Sequence, residues 1–123
     1  MLSGNGALLG FGCRLGHVVQ YAYTVSDIDS AMAGYVDVFG VGPWFRRGPF
    51  MPPGARYRGE YTGLTITLAR AFSGTAMIEL IQQHDDGPSV YRETIDRQGY
   101  GFHHWAITTL DADAEIARFS RRG

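Results

Sequence analysis

Residues 20–35, QYAYTVSDIDSAMAGY, return in outline 84 positions later as HWAITTLDADAEIARF, residues 104–119. The pairs Ala22/Ala106, Thr24/Thr108, Asp27/Asp111, Asp29/Asp113 and Ala33/Ala117 are identical, and aromatic residues match at Tyr21/Trp105 and Tyr35/Phe119. A 123-residue chain with such a repeat uses one supersecondary unit twice. Two equivalent strands are therefore expected to meet about a pseudo-twofold axis.

Each copy reads as a strand feeding a helix. Residues 18–25 are rich in Val, Tyr and Thr, and from Asp27 the apolar positions Ile28, Ala31, Met32, Tyr35 and Val36 follow helical spacing. Ser26 or Asp27 is the expected N-cap, and Gly40, Gly42 and Pro43 stop the helix. The second copy has Asp111 near its cap, with Ile116 and Phe119 expected to face inward. Between the copies, residues 43–61 carry four of the five prolines and read as an edge strand plus a loop. GLTITLARAF (63–72) and TAMIELIQQ (75–83), joined through Ser73 and Gly74, predict a hairpin, and 87–99 predicts a short helix opening on Pro88 and closed by Gly99. The expected class is α+β: a βαβββ module with a cupped mixed sheet, then the βα start of a second copy. The expected divisions are a flexible leader at 1–16, the first module with its connecting helix at 17–99, and the partial second module at 100–123.

The bulk numbers narrow the function classes. A formal net charge of −1 leaves no electrostatic footprint for nucleic acid, and no long basic run suggests a membrane surface. No stretch is apolar for long enough to span a bilayer. The lone cysteine, Cys13, excludes an intrachain disulfide framework and fits a reducing compartment, so a cytoplasmic protein with a small-molecule substrate is expected. The opening residues include a short apolar run, Ala7 to Phe11, without a preceding basic residue, which argues against a signal peptide.

GFHHWAI, residues 101–107, sets two histidines side by side in a strand. Alternation sends neighbours to opposite faces, so only one of them is expected in a given pocket. The repeat superimposes His104 on Gln20, which selects His104 and puts His103 on the other face. Glu79 lies between apolar residues in MIELI, and a buried acid needs a partner. One such partner is a divalent metal, and the Gln, Glu and His donors suit Zn, Ni, Co, Fe or Mn. The other reading of each is ordinary: a hydrogen-bonded histidine and a solvent-facing acid. Trp44, Phe45, Phe50 and Tyr57 are candidate walls of an apolar substrate pocket, and Arg46, Arg47, Arg56 and Arg58 are candidates to meet a carboxylate or a CoA phosphate. Core packing for the aromatics and solvated surface for the arginines are the alternatives. His17, His84 and His103 read as structural or exposed.

QYAYTVSDIDSAM, GVGPWF, AMIELIQ and GFHHWAITTLDAD together resemble the vicinal oxygen chelate superfamily, the group of glyoxalase I, methylmalonyl-CoA epimerase, extradiol dioxygenases and bleomycin-resistance proteins. The resemblance spans about residues 17–122. It implies paired βαβββ modules around one divalent metal, with Gln20, Glu79 and His104 at ligand positions, an order similar to glyoxalase I. Gln20 argues against the two-His, one-carboxylate iron site of ring-cleaving dioxygenases. The implied fourth ligand, a Glu on the last strand of a complete second module, has no counterpart, which points to a longer parent protein or to a partner chain that completes the cup. The implied chemistry is that of an isomerase, epimerase or lyase acting on a small carbonyl compound or acyl-CoA through an enediolate. The base would be the missing carboxylate or Glu79 itself. The alternatives are a metal-free sequestering protein of the bleomycin-resistance kind and an inactive fragment. A half-module leaves a sheet edge and an apolar face uncovered, so a homodimer is expected.

Overall fold

The computed structural model describes residues 14–123. The expectations for Cys13 and for most of the leader lie outside these residues. The elements in order are β1 (Val18–Thr24), α1 (Ile28–Phe39), β2 (Phe45–Phe50), β3 (Arg56–Tyr57), β4 (Glu60–Tyr61), β5 (Ile66–Ser73), β6 (Ala76–Gln83), α2 (Val90–Gln98), β7 (Gly101–Ile107) and α3 (Ala112–Ser120). The class is mixed α+β. Five strands form one sheet in the order β2-β5-β6-β1-β7, and β3 pairs with β4 as a separate ribbon. β1 runs parallel to β6 and antiparallel to β7, so the first strand of the second copy lies directly beside the first strand of the first.

Local chemistry sets the ends of the elements. The Asp27 carboxylate accepts from the Ser30 N–H at 3.1 Å, capping α1, and Gln82 Oε1 of β6 accepts from the Ile28 N–H at 2.9 Å. Gly40 ends the helix with φ +66°, a conformation that suits glycine. In the hairpin, Ser73 pairs with Ala76, which leaves Gly74 (φ +63°) and Thr75 as the turn. The turn is therefore one residue later than the expected Ser73–Gly74, because Gly74 tolerates the left-handed conformation at the first turn position. Helix α2 starts at Val90, later than an opening on Pro88, because Ser89 is the cap: its Oγ accepts from the Arg92 N–H at 2.9 Å.

α1 lies on β5 and β6. The core on that side is Ile28, Ala69 and Leu80, with Tyr23, Ala31, Met32, Tyr35, Trp44 and Ile78 packed around it. Full burial of Ile28 and Leu80 contributes roughly 1.5–3 kcal/mol each before entropy is counted. α3 departs from expectation. Ile116 and Phe119 are 63% and 52% exposed, not turned inward, because among the described residues no strand lies under α3 as β5 and β6 lie under α1. Among the described residues, no helix is long and apolar enough to cross a membrane.

Candidate functional site

Alternation along the strands separates the sheet's two faces. Ala69 and Leu80 face α1, so their strand neighbours Arg70 and Glu79 face the opposite side. On β1, Ala22 is level with Glu79 on one side and with His104 on the other, and Gln20 lies two residues before it on the same face. Three strands thus bring Gln20, Glu79 and His104 to one place. The Gln20 amide Nε2 donates to Glu79 Oε2 at 3.3 Å, and His104 Nε2 stands 4.0 Å from Glu79 Oε1.

Glu79 is buried, and it has a protein partner that sequence inspection missed. Arg70 Nε donates to Glu79 Oε2 at 2.6 Å from the directly opposite position on β5. The carboxylate is divided: Oε2 is held by Arg70 and Gln20, while Oε1 faces His104. Among the described residues no three His, Cys, Asp or Glu side chains gather as a metal cluster. The third polar side chain of the group is Gln20, whose amide Nε2 bonds Oε2. An imidazole nitrogen, a carboxylate oxygen and an amide that carries its own carbonyl oxygen are nevertheless donors that suit a borderline divalent ion.

His103 does not obey simple alternation. The register steps from Ala22↔His104 to Tyr23↔Phe102, so β7 has one more residue than β1 at this point, and His103 is the extra residue of a β-bulge. The bulge turns His103 toward His104: the two Nδ1 atoms are 2.8 Å apart and the rings meet edge to face. Phe102 and Trp105, on either side of the pair, meet at 5.0 Å between centroids. The expectation that His103 lies across the sheet is thereby corrected. Its Nε2 reaches the Val90 carbonyl at 3.0 Å, and its ring packs on Tyr91 at 5.0 Å. The start of α2 thus overhangs this face. Burial holds the His104 imidazole below its ordinary pKa, with His103 acting in the same sense and Glu79 against it. Burial, then the charge of Glu79, push the Tyr91 phenol up, while Arg70 pulls it down. Nothing in the sequence around Tyr91 signals this position, since it depends on where α2 docks.

The aromatic candidates scatter. Trp44 packs on Tyr35 in the α1 core and donates its indole N–H to the Val41 carbonyl at 3.0 Å, so it does not share the face of Glu79. Phe45 is level with Arg70 on the Glu79 side but is 64% exposed, and Phe50 carries the Arg47 guanidinium over its ring. Tyr57 lines a cavity of about 540 Å³ with Ser89, Arg92, Glu93 and Arg97, which touches none of Gln20, Glu79 and His104. The other arginines make local contacts: Arg46 with Asp29 at 2.8 Å, Arg58 with Glu93, and Arg56 over the ring of Tyr61. Of the remaining histidines, His84 hydrogen-bonds Thr67 Oγ1 at 2.7 Å, and His17 is exposed.

Solved structures share this arrangement of strands. A hypothetical protein from Bacillus halodurans C-125 superposes with a TM-score of 0.64 at 19% identity, over 88% of this chain and 69% of its own. A variant Streptomyces coelicolor methylmalonyl-CoA epimerase in complex with 2-nitronate-propionyl-CoA gives 0.58 at 19% identity, over 89% and 71%. The methylmalonyl-CoA epimerase from Mycobacterium tuberculosis gives 0.56 at 23% identity, over 88% and 64%. At these identities the likeness is one of fold. No curated protein matches the chain significantly. The family described as Glyoxalase/Bleomycin resistance protein/Dioxygenase superfamily matches residues 19–123, which takes in both copies of the repeat and every strand of the main sheet except the first residue of β1. By that match the chain belongs to the glyoxalase, bleomycin resistance and dioxygenase superfamily.

Proposed function

We propose that Gln20, Glu79 and His104 are three ligands of a divalent metal ion, Zn, Ni, Co, Mn or Fe, in a protein that moves a proton next to a carbonyl group. The reaction class is isomerase, epimerase or lyase, and the substrate is a small carbonyl compound or an acyl-CoA. The observation that carries this reading is the meeting of the three side chains from β1, β6 and β7 on one face, with Glu79 Oε1 and His104 Nε2 turned toward each other. The fold likeness to methylmalonyl-CoA epimerases recommends acyl-CoA thioesters as first substrates. A bound divalent ion supplies Lewis-acid stabilisation of the negative charge that develops on a substrate oxygen as the adjacent carbon loses its proton. Arg70 holds the far oxygen of Glu79 and restrains the carboxylate's rotation, which favours Glu79 as a ligand over Glu79 as a mobile base. Tyr91, whose phenol feels the charge of Glu79, packs on His103 at the start of α2 beside the site. We further propose that the chain, with its lone cysteine, is cytoplasmic, and that it acts as a homodimer, because β7 is the edge of the sheet and its Trp105 is 63% exposed.

One observation favours a second reading. Arg70 already neutralises Glu79, so the buried carboxylate does not by itself demand a metal. A metal-free protein that binds a small aromatic or amphipathic compound accounts for that pair equally well.

Elemental mass spectrometry on chain purified without chelator or affinity metal separates the two. The metal reading expects about one ion per chain or per dimer, with the ion lost in Glu79→Ala and His104→Ala. Wild-type protein that takes up none of the five metals on titration overturns it. Deuterium exchange into the α-carbon of an acyl-CoA, followed by NMR, then tests the proton-transfer chemistry.

A further inference from the structure

We infer that His103 is a positioning residue that fixes His104 in the tautomer protonated on Nδ1, leaving the Nε2 lone pair open toward Glu79. The inference rests on the metal-site reading for its purpose, but its hydrogen-bond logic is independent. A backbone carbonyl only accepts, so the 3.0 Å contact between His103 Nε2 and the Val90 carbonyl requires the proton of His103 to sit on Nε2. With both rings neutral, His103 Nδ1 is then a lone pair. His104 Nδ1, 2.8 Å away, must be the donor. That leaves His104 Nε2 unprotonated and aimed at Glu79 Oε1, which is the form of imidazole that coordinates a metal.

The geometry is built for this relay. A regular β7 would send His103 to the α1 face, and the extra residue of the bulge brings it back beside His104. The acceptor at the far end is also fixed. Val90 begins α2, whose cap Ser89 is buried and donates its Oγ–H to Gln83 Oε1 of β6 at 2.6 Å. Tyr91 packs on the His103 ring and restrains its rotation. The chain Val90 carbonyl, His103, His104 therefore links the first turn of a helix to a candidate ligand on a strand.

Long-range ¹H–¹⁵N NMR of the histidine rings in the metal-free chain reads the tautomer directly. The expected wild-type result is His104 protonated on Nδ1; a proton on Nε2 overturns the inference without any variant. His103→Phe retains a ring against Tyr91 but can neither accept from His104 nor donate to Val90. It is expected to lose the Nδ1–H preference and to weaken Zn²⁺ binding by about 10- to 100-fold in calorimetric titration. His103→Gln, whose amide can accept at one end and donate at the other, is expected to restore both. Unchanged tautomer and affinity in His103→Phe would overturn the proposal. Wild-type chain that shows the Nδ1–H tautomer yet binds none of Zn, Ni, Co, Mn and Fe upholds the relay and defeats the metal reading. Tight Zn²⁺ binding with His104 protonated on Nε2 in the metal-free state does the reverse.

Discussion

Glu79 has two neighbours of opposite consequence. Its Oε2 bonds Arg70, whose side chain is half exposed, and its Oε1 looks toward His104. Arg70 was legible in principle, because a two-residue hairpin turn fixes every opposite pair. A turn at Ser73–Gly74 would put Leu68 opposite Glu79, whereas the observed turn at Gly74–Thr75 puts Arg70 there. A one-residue misplacement of the turn thus hides the carboxylate's partner. Replacing Arg70 with Met strands a buried charge, and the metal-free chain is expected to lose about 1–3 kcal/mol in urea unfolding. If Glu79 is a metal ligand, added Zn²⁺ raises the stability of Arg70→Met more than that of wild type, because the ion then supplies the only compensating charge. Equal increments in the two chains would count against Glu79 as a metal ligand and leave Arg70 as its charge partner.

At the level of elements, local signals located the helices well and the loops between them less well. Asp27 and Asp111 occupy equivalent positions in the repeat and both cap, each accepting from the N–H three residues on. Their consequences differ because α1 covers the core and α3 does not. Asp27→Ala is expected to cost about 1 kcal/mol of global stability, and Asp111→Ala mainly to reduce helical hydrogen-exchange protection in α3. The loop before α2 is secured by Asp85, which accepts from the Thr65 N–H at 2.6 Å, the Gly87 N–H at 2.7 Å and Gln83 Nε2 at 3.1 Å. The Thr65 bond is the main cause that lowers the Asp85 pKa from the ordinary 3.8. A depressed carboxylate contributes stability that is fully present above its unfolded value and lost as pH falls through the lower folded one. Wild-type stability should therefore decline below about pH 4 partly through Asp85. Asp85→Asn should be less stable by about 1–2 kcal/mol at neutral pH, with a shallower acid slope in chemical denaturation between pH 4 and pH 2. The two sheet edges also contrast. β2 carries Arg46, Arg47 and Pro49, residues that discourage further pairing, whereas β7 presents Phe102 and Trp105 with no such guard.

Over the whole molecule, the second copy of the repeat leaves Trp105, Leu110, Ile116 and Phe119 exposed. Sedimentation velocity is expected to show concentration-dependent self-association, reduced by the paired change Ile116→Lys and Phe119→Lys. A chain that stays monomeric at high concentration would count against a homodimer through this face. The repeat, the strand-to-helix units and their aspartate caps were determined by sequence alone, and the sequence also singled out Gln20, Glu79 and His104 as candidates. These follow from short-range periodicity, from capping, from an offset that superimposes His104 on Gln20, and, for Glu79, from an acid set between apolar residues. Tertiary structure alone decided that His103 sits in a bulge beside His104, that Tyr91 overhangs the site, that Trp44 joins the α1 core and that α3 lies uncovered. Each of these depends on how distant segments dock. Strand register and helix placement come from packing summed over many contacts, and no local pattern at His103 or Tyr91 encodes that sum.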